Sequence, residues 1–120
     1  VCLISTGNIL PVVVKAAEEL DRIGLSAQIV SCHTVKPLDL EFLEFAFSRF
    51  QLVVTIEEHS IVGGLGSAVA EYKTKLTNTP PQLFIGLPDK YGETAGAYSF
   101  LLEKYGLTSK QIAKRISKFM

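Results

Sequence analysis

The chain has 120 residues, 48 % of them hydrophobic, and its twelve basic and twelve acidic side chains give a formal net charge of zero. Neither sign gathers into a block, so the composition excludes the electrostatic footprint of a nucleic-acid or anionic-membrane partner. No apolar run approaches the roughly 20 residues of a membrane span, and no basic segment precedes the first apolar run as in a signal peptide, so the chain reads as soluble and cytoplasmic.

Residues 1–5 form the first of four short runs rich in branched apolar side chains, the others being 27–32, 52–56 and 83–86. Each predicts a strand buried on both faces. Between the first two, Ile9, Val13, Ala16, Ala17 and Leu20 keep helical spacing, Pro11 falls in the first turn and Gly24 supplies the stop. Asp39 is placed to cap a second helix carrying Leu43, Ala46, Phe47 and Phe50, and Pro37 stiffens the approach to it. Phe42 and Phe45 widen that helix's apolar stripe, which therefore needs a partner. A third helix begins at Ser67 or the glycines before it, with Leu65, Val69, Tyr72 and Leu76 on one side, and Pro80-Pro81 closes the segment after it. After a loop over residues 87–96, a short helix is predicted over 97–105. Thr108-Ser109-Lys110-Gln111 then has capping-box spacing for a last helix with Ile112, Ile116 and Phe119.

Alternating strands and helices predict a three-layer α/β/α domain with an open, mainly parallel sheet, for which we expect strand order 2-1-3-4. The direction of winding reverses between strands 1 and 3, and ligands in open α/β sheets favour that crevice. In adjacent parallel strands Cys2 and Cys32 are staggered by about four residues, roughly 13 Å, which exceeds the ~7 Å Cα limit of a disulfide. Buried thiols are expected instead, since nothing basic lies beside either to activate a thiolate. The chain opens on Val1-Cys2-Leu3-Ile4 with no initiator methionine, from which we expect one domain over residues 1–120 belonging to a larger protein.

The run Thr55-Ile56-Glu57-Glu58-His59-Ser60-Ile61-Val62-Gly63-Gly64-Leu65-Gly66-Ser67 joins a strand to a helix beside that crevice and is the candidate site. Gly63, Gly64, Gly66 and Ser67 at a helix start suit phosphate binding, because glycines admit close backbone approach and the helix end offers unpaired N–H groups. Against this, no lysine follows as in a P-loop, the dinucleotide fingerprint is absent, and Glu57 and Glu58 repel an anion. Glu57 and His59, two apart on extended backbone, share a side, but two ligands do not close a metal site; His33 or Asp89 would have to add a third. An imidazole oriented by a glutamate suits acid–base chemistry, yet no nucleophile motif accompanies it, and Ser60 points away from its neighbour His59. The plainer reading is a glycine turn that lets the third helix pack tightly, glutamates that cap backbone donors, and a histidine at a loop or interface.

Several segments taken in order carry a family resemblance. Thr34-Val35-Lys36-Pro37-Leu38-Asp39, Val54-Thr55-Ile56-Glu57-Glu58-His59 with Gly63-Gly64-Leu65-Gly66-Ser67-Ala68-Val69-Ala70-Glu71, Gly86-Leu87-Pro88-Asp89-Lys90-Tyr91-Gly92 and Tyr105-Gly106-Leu107-Thr108 resemble the C-terminal domain of transketolase-type thiamine diphosphate enzymes. The acidic pair followed by histidine is most similar to transketolase and to the small subunit of split transketolases. The beta subunit of 2-oxo acid dehydrogenases and deoxyxylulose-phosphate synthase share the domain. Gly92-Glu93-Thr94-Ala95-Gly96 departs from the family's shorter Gly-Glu-Ser-Gly turn and leaves the subfamily open.

The resemblance implies that thiamine diphosphate and magnesium are bound by pyrimidine- and pyrophosphate-binding domains, in the same chain or a separate subunit, of a homodimer or heterotetramer. This domain then supplies no catalytic, cofactor-binding or metal-binding residue. Glu57, Glu58, His59, Gly63, Gly64, Gly66 and Ser67 become an interface or anion loop, and an antiparallel edge strand is expected to precede the first strand. The parent enzyme would move a two-carbon ketol unit between sugar phosphates. The reading from another class is a stand-alone module that binds a small anion or nucleotide in the crevice.

Overall fold

Strands form at Cys2–Ser5 (β1), Gln28–Ser31 (β2), Val53–Ser60 (β3) and Gln82–Leu87 (β4) in the computed structural model, which describes residues 1–33, 36–88 and 97–120. They pair in parallel in the order β2-β1-β3-β4. The helices are Leu10–Arg22 (α1), Leu40–Arg49 (α2), Leu65–Lys73 (α3), Tyr98–Lys104 (α4) and Ser109–Phe119 (α5), with a 3-10 turn at Gly7–Ile9 leading into α1. The antiparallel edge strand implied by the family resemblance is not among the described residues.

The sheet divides two apolar layers. Leu3, Val54, Ile56 and Ile85 meet Val13, Ala16 and Leu20 of α1 and Ile112 and Ile116 of α5 on one face. Cys2, Ile4 and Val53 meet Leu43, Ala46 and Phe47 of α2 and Leu65 and Val69 of α3 on the other. The central strands are therefore covered on both sides, as continuous apolar runs require. The expectation that all four strands are buried on both faces fails for β2, whose Gln28 and Ser31 are exposed, and for β4, where only Ile85 is buried and the other residues are partly exposed. Among the described residues only β1 hydrogen-bonds to β2, and polar outward residues keep a sheet margin from pairing with other chains.

Local chemistry sets the helix ends. At the end of α1, Gly24 has φ 83°; its N–H bonds Asp21 O while the Leu25 N–H reaches Leu20 O, a Schellman closure that needs this left-handed residue. Thr108 and Gln111 form a reciprocal capping box on α5. Asp39 accepts from the Phe42 N–H at 3.0 Å and caps α2. Asp39→Ala is expected to cost about 1 kcal/mol, read as a lowered urea midpoint at unchanged slope.

The wide stripe of α2 is shared out. Phe42 and Phe50 pack against the second apolar layer, whereas Phe45 stays 43 % exposed with the Arg49 guanidinium 5.7 Å from its ring centroid. The Tyr72 hydroxyl donates to Glu44 at 2.7 Å and joins α3 to α2; that bond holds the phenol above its ordinary pKa.

Cys2 lies opposite Gln28, four positions before Cys32, and neither cysteine is in a disulfide. Cys2 is fully buried, and burial pushes its thiol up to about 11. Because the folded state holds this proton more tightly than the unfolded chain, the thiol's contribution to stability is complete below the ordinary thiol value and is lost as pH rises through about 11. At pH 8 a thiol reagent is expected to leave Cys2 unmodified until denaturant is added; rapid labelling of Cys2 in the native chain would contradict its burial.

Candidate functional site

The segment Glu57-Glu58-His59 was expected just beyond a strand ending at residue 56, but it belongs to β3 itself, which runs on to Ser60. After Ile56 pairs with Ile85 the ladder breaks, and it resumes with Ser60 opposite Leu87. Glu57, Glu58 and His59 thus bulge opposite the single residue Gly86. Charged side chains end the apolar run in sequence, while pairing with β4 carries the strand forward. The glycine is required there: a Cβ on Gly86 would stand 2.8 Å from Ile61 Cγ2 and 3.0 Å from His59 O.

The three signature residues go to three different places. Glu57 is 1 % exposed. Its Oε1 accepts from the Leu65 N–H and its Oε2 from the Gly66 N–H, both at 2.8 Å, so one carboxylate holds two unpaired donors at the start of α3. Glu58 is half-buried and accepts a hydrogen bond from the Tyr98 hydroxyl of α4. His59 is exposed and faces an open cleft of about 510 Å³ together with Thr6, Lys36, Glu57, Ser60 and Val62.

The turn that follows is fastened by its serines. Ser60 Oγ accepts from the Val62 N–H at 3.1 Å, and Ser67 Oγ accepts from the Gly63 N–H while donating to Ile61 O, both at 3.0 Å. Ser60 is therefore engaged by its own turn. Gly63 has φ 78°, a left-handed conformation that favours glycine. Gly64 and Gly66 serve close approach instead: a Cβ on Gly64 would overlap Glu57 Oε1, and one on Gly66 would lie 2.7 Å from the Phe84 ring and 2.9 Å from Thr55 Oγ1.

Two supporting residues had no local signal. Gln82, at the start of β4, donates through Nε2 to Gly66 O at 3.0 Å, and Phe84 forms the floor under Gly66. Both act through strand pairing. A second, more apolar cleft of about 320 Å³ lies between α2 and α3 over Ile4 and Val30, with His33 and Asp39 among its lining residues. Among the described residues no group of three or more His, Cys, Asp or Glu is arranged to hold a metal ion. Asp89, considered as a third ligand, and the turn at residues 92–96 lie outside the described residues. No described helix is long and apolar enough to cross a membrane.

A family model for the transketolase C-terminal domain matches residues 1–112. This chain belongs to that family. It is 42 % identical over 118 residues to a protein of Methanocaldococcus jannaschii described as a transketolase C-terminal section, covering 98 % of this chain and 36 % of the relative. It is also 42 % identical over 116 residues to the 1-deoxy-D-xylulose-5-phosphate synthase of Desulforudis audaxviator, covering 95 % of this chain and 18 % of that enzyme. Among solved structures, a split-gene transketolase in an inactive beta4 tetramer superposes with a TM-score of 0.88 at 36 % identity, over 98 % of this chain and 38 % of that one. The chain thus spans about a third or less of the length of these relatives. In this transketolase C-terminal domain, the glycine-rich turn of the family pattern surrounds a carboxylate that the chain itself supplies.

Proposed function

We propose that the chain is an architectural domain of a thiamine diphosphate-dependent transketolase and takes no part in the bond-making steps. The parent enzyme moves a two-carbon ketol unit between a ketose phosphate and an aldose phosphate in the cytoplasm. Pyrimidine- and pyrophosphate-binding domains, in the same polypeptide or a partner subunit of a homodimer or heterotetramer, hold the cofactor and its magnesium. The observation that carries the reading is Glu57. The glycine-flanked start of α3, the candidate seat for a diphosphate, is taken by a buried carboxylate through both oxygens. With Glu57 on both amides, this turn has neither donor left to offer a diphosphate and does not fit the cofactor. The same occupation argues against a stand-alone anion- or nucleotide-binding module. Glu58, His59 and the exposed Val62 remain at the surface for contact with a neighbouring domain.

The test is turnover of xylulose 5-phosphate with ribose 5-phosphate. This chain alone is expected to give none and to show no saturable binding of thiamine diphosphate; joining it to the pyrimidine- and pyrophosphate-binding domains is expected to give turnover. Activity or cofactor binding by the isolated chain would overturn the proposal. The 42 % identity to a deoxyxylulose-phosphate synthase supports a second reading within the same architecture. Formation of 1-deoxy-D-xylulose 5-phosphate by the assembled enzyme, without ketol transfer, would decide for it.

A further inference from the structure

The two margins of the sheet differ in chemistry. β2 carries the exposed polar residues Gln28 and Ser31. β4, whose one strand neighbour among the described residues is β3, reads Gln82-Leu83-Phe84-Ile85-Gly86-Leu87, without a charge or a proline. Its one polar side chain is turned inward, where Gln82 Nε2 donates to Gly66 O at 3.0 Å. Short neutral segments of this kind pair readily with copies of themselves when their backbone is open. On the inner side of β4, the Val53 N–H bonds Pro81 O and the Ile61 N–H bonds Leu87 O, so the odd-numbered residues turn their backbone groups to β3. Alternation leaves the N–H and C=O groups of Gln82, Phe84 and Gly86 on the outer side.

The middle acceptor of that outer row is taken. Arg115 Nη2, from α5, donates to Phe84 O at 3.1 Å. On α5, Ile112 and Ile116 are buried against the sheet, whereas Arg115, one position before Ile116, stands exposed on the flank of the helix. The guanidinium therefore fills the group that a further strand would have to reach, and sets a charge on an edge that has none of its own.

We propose that the outer edge of β4 is a strand-pairing surface that Arg115 holds closed, and that the strand it turns away is β4 of a second copy of this chain. The occupant follows from symmetry. An antiparallel pair of these strands about a two-fold axis at Phe84 sets Phe84 against Phe84 and Gln82 against Gly86, so that each outward donor meets an outward acceptor. With Arg115 in place, the same axis finds Phe84 O already bound and brings two guanidinium groups together. This surface lies beyond the architectural role proposed above and does not depend on it, so either test can fail without the other.

Sedimentation velocity of the full chain is the test. Arg115→Met keeps the aliphatic stem and removes the donors and the charge, and Lys114→Met makes a matching change at the neighbouring exposed position. Six residues of edge make a small interface, so Arg115→Met is expected to dimerise with a dissociation constant on the order of 100 µM, at least about tenfold tighter than any self-association of the unaltered chain. Lys114→Met is expected to match the unaltered chain. In the Arg115→Met dimer, hydrogen exchange over β4 is expected to be slower than in the same variant when dilute. The proposal is overturned if Arg115→Met associates no more than Lys114→Met, or if it associates with exchange in β4 unchanged. Failure of Arg115→Met to fold would also overturn it, because Arg115 would then be a fastening of α5 and not a guard of the edge.

Discussion

Gly64→Ala will destabilise the chain by about 2–4 kcal/mol, seen as a lower urea midpoint, although alanine is ordinarily harmless where the backbone is extended. The φ and ψ of Gly64 are −99° and −151°, a conformation open to any residue, so backbone strain contributes nothing to the loss. The cost is steric. An added Cβ would overlap Glu57 Oε1 and lie 3.0 Å from Ser60 O. A long side chain can usually swing aside, but Glu57 is buried and held by two amides. Displacing it strands two buried donors and a carboxylate. The two positions must therefore be coupled. In a Glu57→Ala background the Gly64→Ala change is expected to cost about 1–3 kcal/mol less than in the unaltered chain. Additive losses would show that the Cβ meets something other than the carboxylate.

What is legible in the sequence of this domain is what short-range chemistry determines. Branched apolar runs marked the strand positions, and Asp39 and the Thr108–Gln111 pair marked helix starts within a few residues of the atoms they bond. The alternation of elements led to a parallel sheet in the order later seen. The failures share a cause. That β3 continues through Glu57-Glu58-His59 depends on Leu87, far along the chain, and the exposure of Gln28 and Ser31 depends on β2 having one neighbour. Within the candidate site, the pattern already named glutamates that cap backbone donors as the plain alternative to a phosphate loop. Which glutamate, and which donors, is a matter of topology: Glu57 reaches α3, while its neighbour Glu58 meets Tyr98 on α4. Gly86, which the sequence marked only as the end of the fourth apolar run, is explained by the bulge opposite it.

Among the three residues that resemble catalytic equipment, substitution of Glu57 will dominate stability. Glu57→Leu removes both acceptors and leaves the Leu65 and Gly66 N–H groups buried beside an apolar side chain, so a loss of about 3–5 kcal/mol is expected. Glu57→Gln keeps one oxygen for one amide but turns an NH₂ toward the other, a donor facing a donor, and is expected to cost roughly 2–3 kcal/mol. His59→Ala, at an exposed position, should stay within about 0.5 kcal/mol of the unaltered chain. Glu58→Gln retains an oxygen that the Tyr98 hydroxyl can reach and should change stability by less than about 1 kcal/mol. Urea denaturation of the four variants tests the order Leu, then Gln, at Glu57, with both neighbours far behind. A Glu57→Gln loss no larger than that of His59→Ala would mean that the two amides are satisfied in another way, and Glu57 would lose its place as the fastening between β3 and α3.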